Sequence, residues 1–209
     1  MYLHSKQVLT TGISVEKAKK AIVMIHGRGG SAQDIVTLKE HLNLKEMAIF
    51  APQASQRSWY PYSFMAPEVQ NQPALDSALG VINDLVQDIE KAGIPADSIY
   101  FLGFSQGACL TLEYLARNAQ QYGGAVAFTG GLIGETLITE RYKGDFEGTP
   151  ILISTGNPDP HVPLTRVQES ISILKSFNSN VHSEVFNGKQ HSISFEEINL
   201  ANQYIFKEN

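Results

Sequence analysis

Short apolar runs alternate along the chain with longer stretches whose apolar positions recur at helical spacing. Residues 21–25 (AIVMI) form an unbroken apolar run, the signature of a strand covered on both faces, and residues 34–44 after it read as a helix. Residues 48–51 read as a second strand, and residues 52–72, rich in proline and aromatics, as loop. Pro73 suits a first helical turn, after which Leu75, Leu79, Ile82, Leu85, Val86 and Ile89 keep helical spacing until Gly93. Residues 99–102 read as a third strand, and Leu110, Leu112, Tyr114 and Leu115 mark a helix behind it. Residues 126–128, 151–153 and 181–186 read as further strands, with helices at 167–177 and 193–206. Strands alternating with helices predict parallel crossovers and a sheet covered on both faces. The expected class is α/β, in one domain spanning 1–209.

Composition narrows the function. Charged residues are 18% of the 209 and hydrophobic residues 43%, enough apolar material for a sizeable core. The formal charge is −5, with no basic stripe for phosphate backbones, so nucleic acid is not expected as a partner. A lone Cys109 excludes an internal disulfide framework and a cysteine-based metal cluster, and it reads as core. The start shows no secretory signal, and no stretch approaches the length that a bilayer demands, which predicts a cytoplasmic setting with no integral membrane segment.

In parallel sheets, ligands bind beyond the carboxyl ends of the strands. The third strand runs into Gly103-Phe104-Ser105-Gln106-Gly107, a G-x-S-x-G in strand–turn–helix context. Such a turn lifts the serine hydroxyl above the sheet and aims a helix N-terminus at it, which makes Ser105 a candidate nucleophile and the Gln106 N–H a candidate oxyanion donor. A base and its orienting carboxylate are expected in the order Ser, Asp or Glu, His. Asp159 lies in a proline-rich loop after residues 151–153, and Asp145, which follows no clear strand, ranks behind it. Among six histidines, His4, His26 and His41 precede the serine, His161 stands too close to Asp159, and His182 falls inside a strand. His191, after the last strand, is the natural base.

The first strand ends in His26-Gly27-Arg28-Gly29-Gly30-Ser31, where the Arg28 N–H suits a second oxyanion donor and His26 a structural hydrogen bond. Gly27-Arg28-Gly29-Gly30-Ser31-Ala32 also fits G-x-G-x-x-A, the dinucleotide fingerprint. That fingerprint expects an acid about 20 residues on, yet positions 47–67 hold no Asp or Glu. A dinucleotide-binding protein is the weaker alternative, and a ligand receptor built on a hydrolase scaffold is another.

Taken together, these motifs resemble the phospholipase/carboxylesterase family of α/β-hydrolases, which includes bacterial carboxylesterases and acyl-protein thioesterases. The resemblance rests on His26–Gly29 as an HG-x-G loop, on GFSQG at residues 103–107, on the G-x-x-D-x-x-V-P stretch from Gly156 to Pro163, and on the late His191. Arg57-Ser58-Trp59-Tyr60 resembles the family's aromatic loop, while Arg28 stands where many relatives carry an apolar residue. The resemblance implies a sheet short of eight strands and a serine hydrolase needing neither cofactor nor metal. Its expected substrates are small-molecule esters or thioesters of small to medium acyl chains. At this length no large lid is expected and the site should be an open groove. Its apolar wall is sought among Trp59, Tyr60, Tyr62, Phe64, Met65, Leu132, Ile133 and Leu137. A weak homodimer is compatible with the sequence.

Overall fold

A computed structural model describes residues 2–207. Its strands are β1 (Val8–Gly12), β2 (Lys20–Ile25), β3 (Met47–Pro52), β4 (Ile99–Phe104), β5 (Gly124–Phe128), β6 (Pro150–Asn157) and β7 (Asn180–Asn187). Its helices are α1 (Ala32–Val36), α2 (Glu68–Asn71), α3 (Ala74–Lys91), α4 (Gln106–Arg117), α5 (Leu164–Ser176) and α6 (Phe195–Tyr204). The strands form one sheet in the order β1-β3-β2-β4-β5-β6-β7, parallel except for β1 against β3. This is the mostly parallel α/β sheet that the alternation predicts, with seven strands.

The pleat explains why the strands read as continuous apolar runs. In β2, Ala21, Val23 and Ile25 face a layer containing α3, α4 and α5, while Ile22 and Met24 face α1 and α6. Successive side chains point to opposite faces, so a strand buried on both sides needs apolar residues throughout. In α3 the stripe from Leu75 to Ile89 is buried against that first layer.

Three elements depart from expectation, one of them α2 (Glu68–Asn71), a single helical turn within the stretch 52–72 read as loop. The apolar pattern does not mark the edge strand β1, whose VLTTG sequence is half polar because only β3 pairs with it. The helix expected over residues 34–44 stops at Val36 and tightens into a single 3-10 turn at Thr37–Glu40. Asn202 of α6 accounts for that end, accepting from the Asn43 N–H at 2.8 Å and donating to the His41 carbonyl at 2.9 Å. The Asn43 N–H is a group that a helix continued to residue 44 would have consumed. Among the described residues, no helix is long and apolar enough to cross a membrane.

Candidate active site

Ser105 stands at the sharp turn between β4 and α4, with φ 53° and ψ −117°. A non-glycine residue held at positive φ stores on the order of 1–3 kcal/mol of strain, which the surroundings must offset. The Ser105 N–H donates to the Phe128 carbonyl at 2.9 Å, and the Ser105 carbonyl accepts from the Cys109 N–H at 3.0 Å. The flanking glycines are required by contact. A Cβ on Gly103 would fall 2.4 Å from the Gly107 carbonyl oxygen, and one on Gly107 would fall 2.1 Å from that of Ile25. The first turn of α4 therefore lies flush against the end of β2.

Loops after β6 and β7 bring two more side chains to this turn. His191 Nε2 is 2.8 Å from Ser105 Oγ, and His191 Nδ1 is 2.8 Å from Asp159 Oδ2. The Asp159 side chain is fully buried, and its Oδ1 accepts the N–H groups of His161 and Val162, both at 2.9 Å. Burial opposes ionisation of this carboxyl, but the bonds from His191, His161 and Val162 outweigh it and hold it below the usual carboxylate range. An ionised Oδ2 can only accept, so Nδ1 carries the ring proton and Nε2 is left to accept from the serine hydroxyl.

The loop after β2 closes the third side. The Gly29 N–H donates to the Arg57 carbonyl at 2.7 Å and the Gly30 N–H to Gly27 at 3.1 Å. The Arg28 N–H has no acceptor among the described residues. The Gln106 N–H opens α4, where first-turn N–H groups lack intrahelical acceptors. His26 braces the loop from beneath. Its Nδ1 lies 2.7 Å from the Gly27 carbonyl, and its Nε2 accepts from the Ala54 N–H at 3.1 Å. Burial pushes its pKa down, against the Gly27 bond, so the ring is the neutral Nδ1–H tautomer.

A cleft of about 560 Å³ opens over Ser105 and His191, walled by Tyr60, Tyr62, Phe64, Phe104, Cys109 and Val162, with Arg28 and His161 also lining it. Such an arrangement suits proton transfer from a hydroxyl to an imidazole held by a carboxylate.

A family model described as phospholipase/carboxylesterase matches residues 11–209. This chain belongs to the phospholipase/carboxylesterase family. The chain is 28% identical over 215 residues to acyl-protein thioesterase 1 of Kluyveromyces lactis, covering 92% of this chain and 93% of that one. The crystal structure of a phospholipase/carboxylesterase from Dyadobacter fermentans is 62% identical, covers 99% of each chain and superposes with a TM-score of 0.98. The Arabidopsis thaliana SOBER1 crystal structure, at 21% identity and a TM-score of 0.75, covers 90% of this chain and 98% of its own and shares the fold. Together these make the architecture a single-domain α/β-hydrolase.

Within this phospholipase/carboxylesterase fold, part of the expected wall is elsewhere. Trp59 is fully buried under the loop after β2, its indole N–H donating to the His26 carbonyl at 2.9 Å. Leu132 and Ile133 are also fully buried, because their N–H groups are drawn inward to Ser170 Oγ at 2.8 Å and Glu113 Oε2 at 3.0 Å. These three, with Met65 and Leu137, do not line the cleft, whereas Tyr60, Tyr62 and Phe64 do. Asp145 lies apart, accepting from Glu147 and Asn178. His182 stacks on Tyr204 with ring centroids 3.7 Å apart. The loop 27–32 spends its Gly29 and Gly30 N–H groups internally and leads into a helix of five residues, which does not suit a pyrophosphate cradle.

Two residues that shape the site, Glu197 and His161, are not marked as part of it by strand-end position or triad order. Buried Glu197, from α6, accepts from Ser154 Oγ at 2.6 Å and from the Ser194 N–H at 2.8 Å, and pairs with Lys189 at 3.0 Å. It thereby anchors both ends of the His191 loop. His161 packs edge-on to His191 with centroids 4.9 Å apart. The S-x-x-E spacing from Ser194, a capping-box pattern, was the available clue to Glu197.

Proposed function

We propose that the chain is a serine hydrolase that cleaves carboxylic esters or thioesters of small to medium acyl chains through an acyl-enzyme on Ser105. The observation that carries this reading is the pair of 2.8 Å contacts joining Ser105, His191 and Asp159 at the floor of an open cleft. Ser105 Oγ attacks the carbonyl carbon while His191 Nε2 takes its proton, and the N–H groups of Arg28 and Gln106 receive the negative oxygen. His191 returns the proton to the departing alcohol or thiol, breaking the ester bond and leaving Ser105 acylated. A water, deprotonated by the same nitrogen, then releases the acid. Asp159 fixes the tautomer and stabilises the imidazolium in both halves. Family membership and the thioesterase relative support the reaction class.

The test is labelling with a fluorophosphonate, peptide mass mapping, and turnover of p-nitrophenyl esters, with Ser105→Ala as control. An adduct on Ser105, with turnover lost in S105A, is expected. A folded wild-type protein that takes no label and turns over no ester would overturn the proposal.

A further inference from the structure

The two residues assigned as oxyanion donors also use their side chains, and both grip one short segment, residues 58–62. Arg28 donates from Nη1 to Ser58 Oγ at 3.0 Å and to the Pro61 carbonyl at 2.8 Å, and from Nη2 to the Tyr62 carbonyl at 2.6 Å. Gln106 accepts the Trp59 N–H on Oε1 at 2.9 Å and donates from Nε2 to the Tyr60 carbonyl at 2.8 Å. The segment is itself fixed from below, because the Trp59 indole is bonded to the His26 carbonyl. Backbone and indole hold it in place, and its upper side is the cleft wall at Tyr60 and Tyr62.

A guanidinium in an active-site cleft ordinarily suggests a substrate anion. Here its two terminal nitrogens are already turned onto neutral oxygens of the protein's own backbone and Ser58. The local backbone explains why such a tether is needed. Arg28 sits between Gly27 and Gly29, the latter at φ +76°, and glycine restrains its peptide planes least of all residues. Nothing accepts from the Arg28 N–H within the described protein, so the plane carrying that donor is held through its neighbours and its side chain. The Gly29 bond to the Arg57 carbonyl supplies one hold and the three guanidinium bonds supply the other.

We propose that the Arg28 side chain is a positioning residue. It ties the Arg28 N–H to the segment that Gln106 also grips, and so fixes the separation of the two oxyanion donors. The proposal rests on the serine-hydrolase reading above. It predicts an effect on the tetrahedral state and little on ground-state binding, since the donors act where charge develops.

The experiment compares wild type with Arg28→Met, Arg28→Lys and Ser58→Ala on p-nitrophenyl butyrate, with kcat normalised to serines titrated by fluorophosphonate. Alongside, the Ki of a phenylboronic acid reports the tetrahedral adduct, and it is independent of how much protein folds. Losing a whole oxyanion donor costs about 10²–10³ in kcat, so displacing one in R28M should cost about 30-fold. KM should stay within about threefold, and the boronate Ki should rise by a factor similar to the loss in kcat. R28K, which reaches one acceptor at a time, should recover part of the loss, and S58A, which removes one anchor, should show a smaller effect of the same kind. Should R28M fold poorly, S58A and the boronate Ki still decide the matter. A rise in KM with kcat unchanged would make Arg28 a substrate-binding charge and overturn the proposal. So would a boronate Ki within threefold of wild type. An unlabelled, inactive wild type would remove both readings, whereas a labelled, active wild type with an indifferent R28M removes this one alone.

Discussion

Gly107→Ala tests whether the helix behind Ser105 is seated as tightly as the contacts indicate. The new methyl carbon would lie 2.1 Å from the Ile25 carbonyl oxygen, 2.6 Å from that of His26 and 2.7 Å from the Ile25 carbonyl carbon. All three are backbone atoms of β2 and the residue after it, so no side chain can swing aside. Because Cβ atoms essentially never approach closer than 3.0 Å, α4 must retreat from β2 by about 0.9 Å. Overpacking of this kind costs about 1–3 kcal/mol of stability. The larger consequence falls on rate, because the first turn of α4 carries Ser105 and Gln106, and a misplacement of about 1 Å can cost about 100-fold.

The assay is kcat/KM for p-nitrophenyl butyrate together with a urea titration, using Gly80→Ala as the matched control. Gly80 lies exposed in the middle of α3, and a Cβ there meets nothing within 4 Å. Removing glycine from a helix interior should stabilise by up to about 1 kcal/mol and leave activity alone. If G107A kept kcat/KM within twofold of wild type while remaining folded, the seating of α4 on β2 would not govern the site, and the reasoning would fail.

Three further outcomes follow from the same contacts. Asp159→Asn should lower kcat by about 10⁴-fold through the wrong histidine tautomer and should also lower the urea midpoint at neutral pH. Because the folded-state pKa of Asp159 is lowered, its contribution to stability is present above the unfolded value of about 3.9 and is lost as pH falls through the folded one. Urea titrations from pH 7 to 3 should show that part of the acid limb missing in D159N. Glu113, fully buried, faces Arg117 at 2.7 Å and Arg141 at 3.3 Å and accepts the Ile133 N–H, so Glu113→Gln should cost about 3 kcal/mol. An unchanged urea midpoint at constant m would refute that. Burial pushes the Cys109 thiol up to about 12, leaving about one part in 10⁴ as thiolate at pH 8. A disulfide reagent should therefore leave the native protein unmodified for hours yet react at once in denaturant, and rapid native reaction would show the cleft floor to be open.

What could be read from the sequence depended on whether a residue's role was set locally. Ser105 was legible because an apolar strand, two close-packed glycines and a following helix lie within a few residues of one another. Asp159 and His191 were legible because each follows directly on a strand that the apolar pattern marks. The wall of the cleft was not legible, since apolar residues in a loop can turn either way. Leu132 and Ile133 turn inward because Ser170 and Glu113, 38 and 20 residues away in the chain, capture their N–H groups. Glu197 reads as an ordinary helix-surface acid until Ser154, 43 residues earlier, is seen bonded to it. The edge strand β1 was missed for the converse reason, as an edge needs little apolar sequence to pair.

The three linked side chains come from loops after three different strands, β4, β6 and β7, so their mutual distances are set by strand register more than by local contacts. Asn157 of β6 pairs with Asn187 of β7, and the Gly188 N–H donates to the Asn157 carbonyl at 3.0 Å. The loops bearing Asp159 and His191 therefore leave the sheet from adjacent, hydrogen-bonded points. The Ser105 turn is referred to the same frame through Phe128 at the end of β5, which pairs with Ser154 of β6 and accepts the Ser105 N–H. Ser154 in turn accepts from the Thr129 N–H at 2.7 Å and donates through its hydroxyl to Glu197, the residue that anchors the His191 loop. A continuous path of backbone and buried side-chain bonds thus runs from the strained serine to the loop that carries the imidazole. Rigid elements hold reacting groups more closely than loops alone can, and here the loops are tied to the sheet at the positions from which they present those groups.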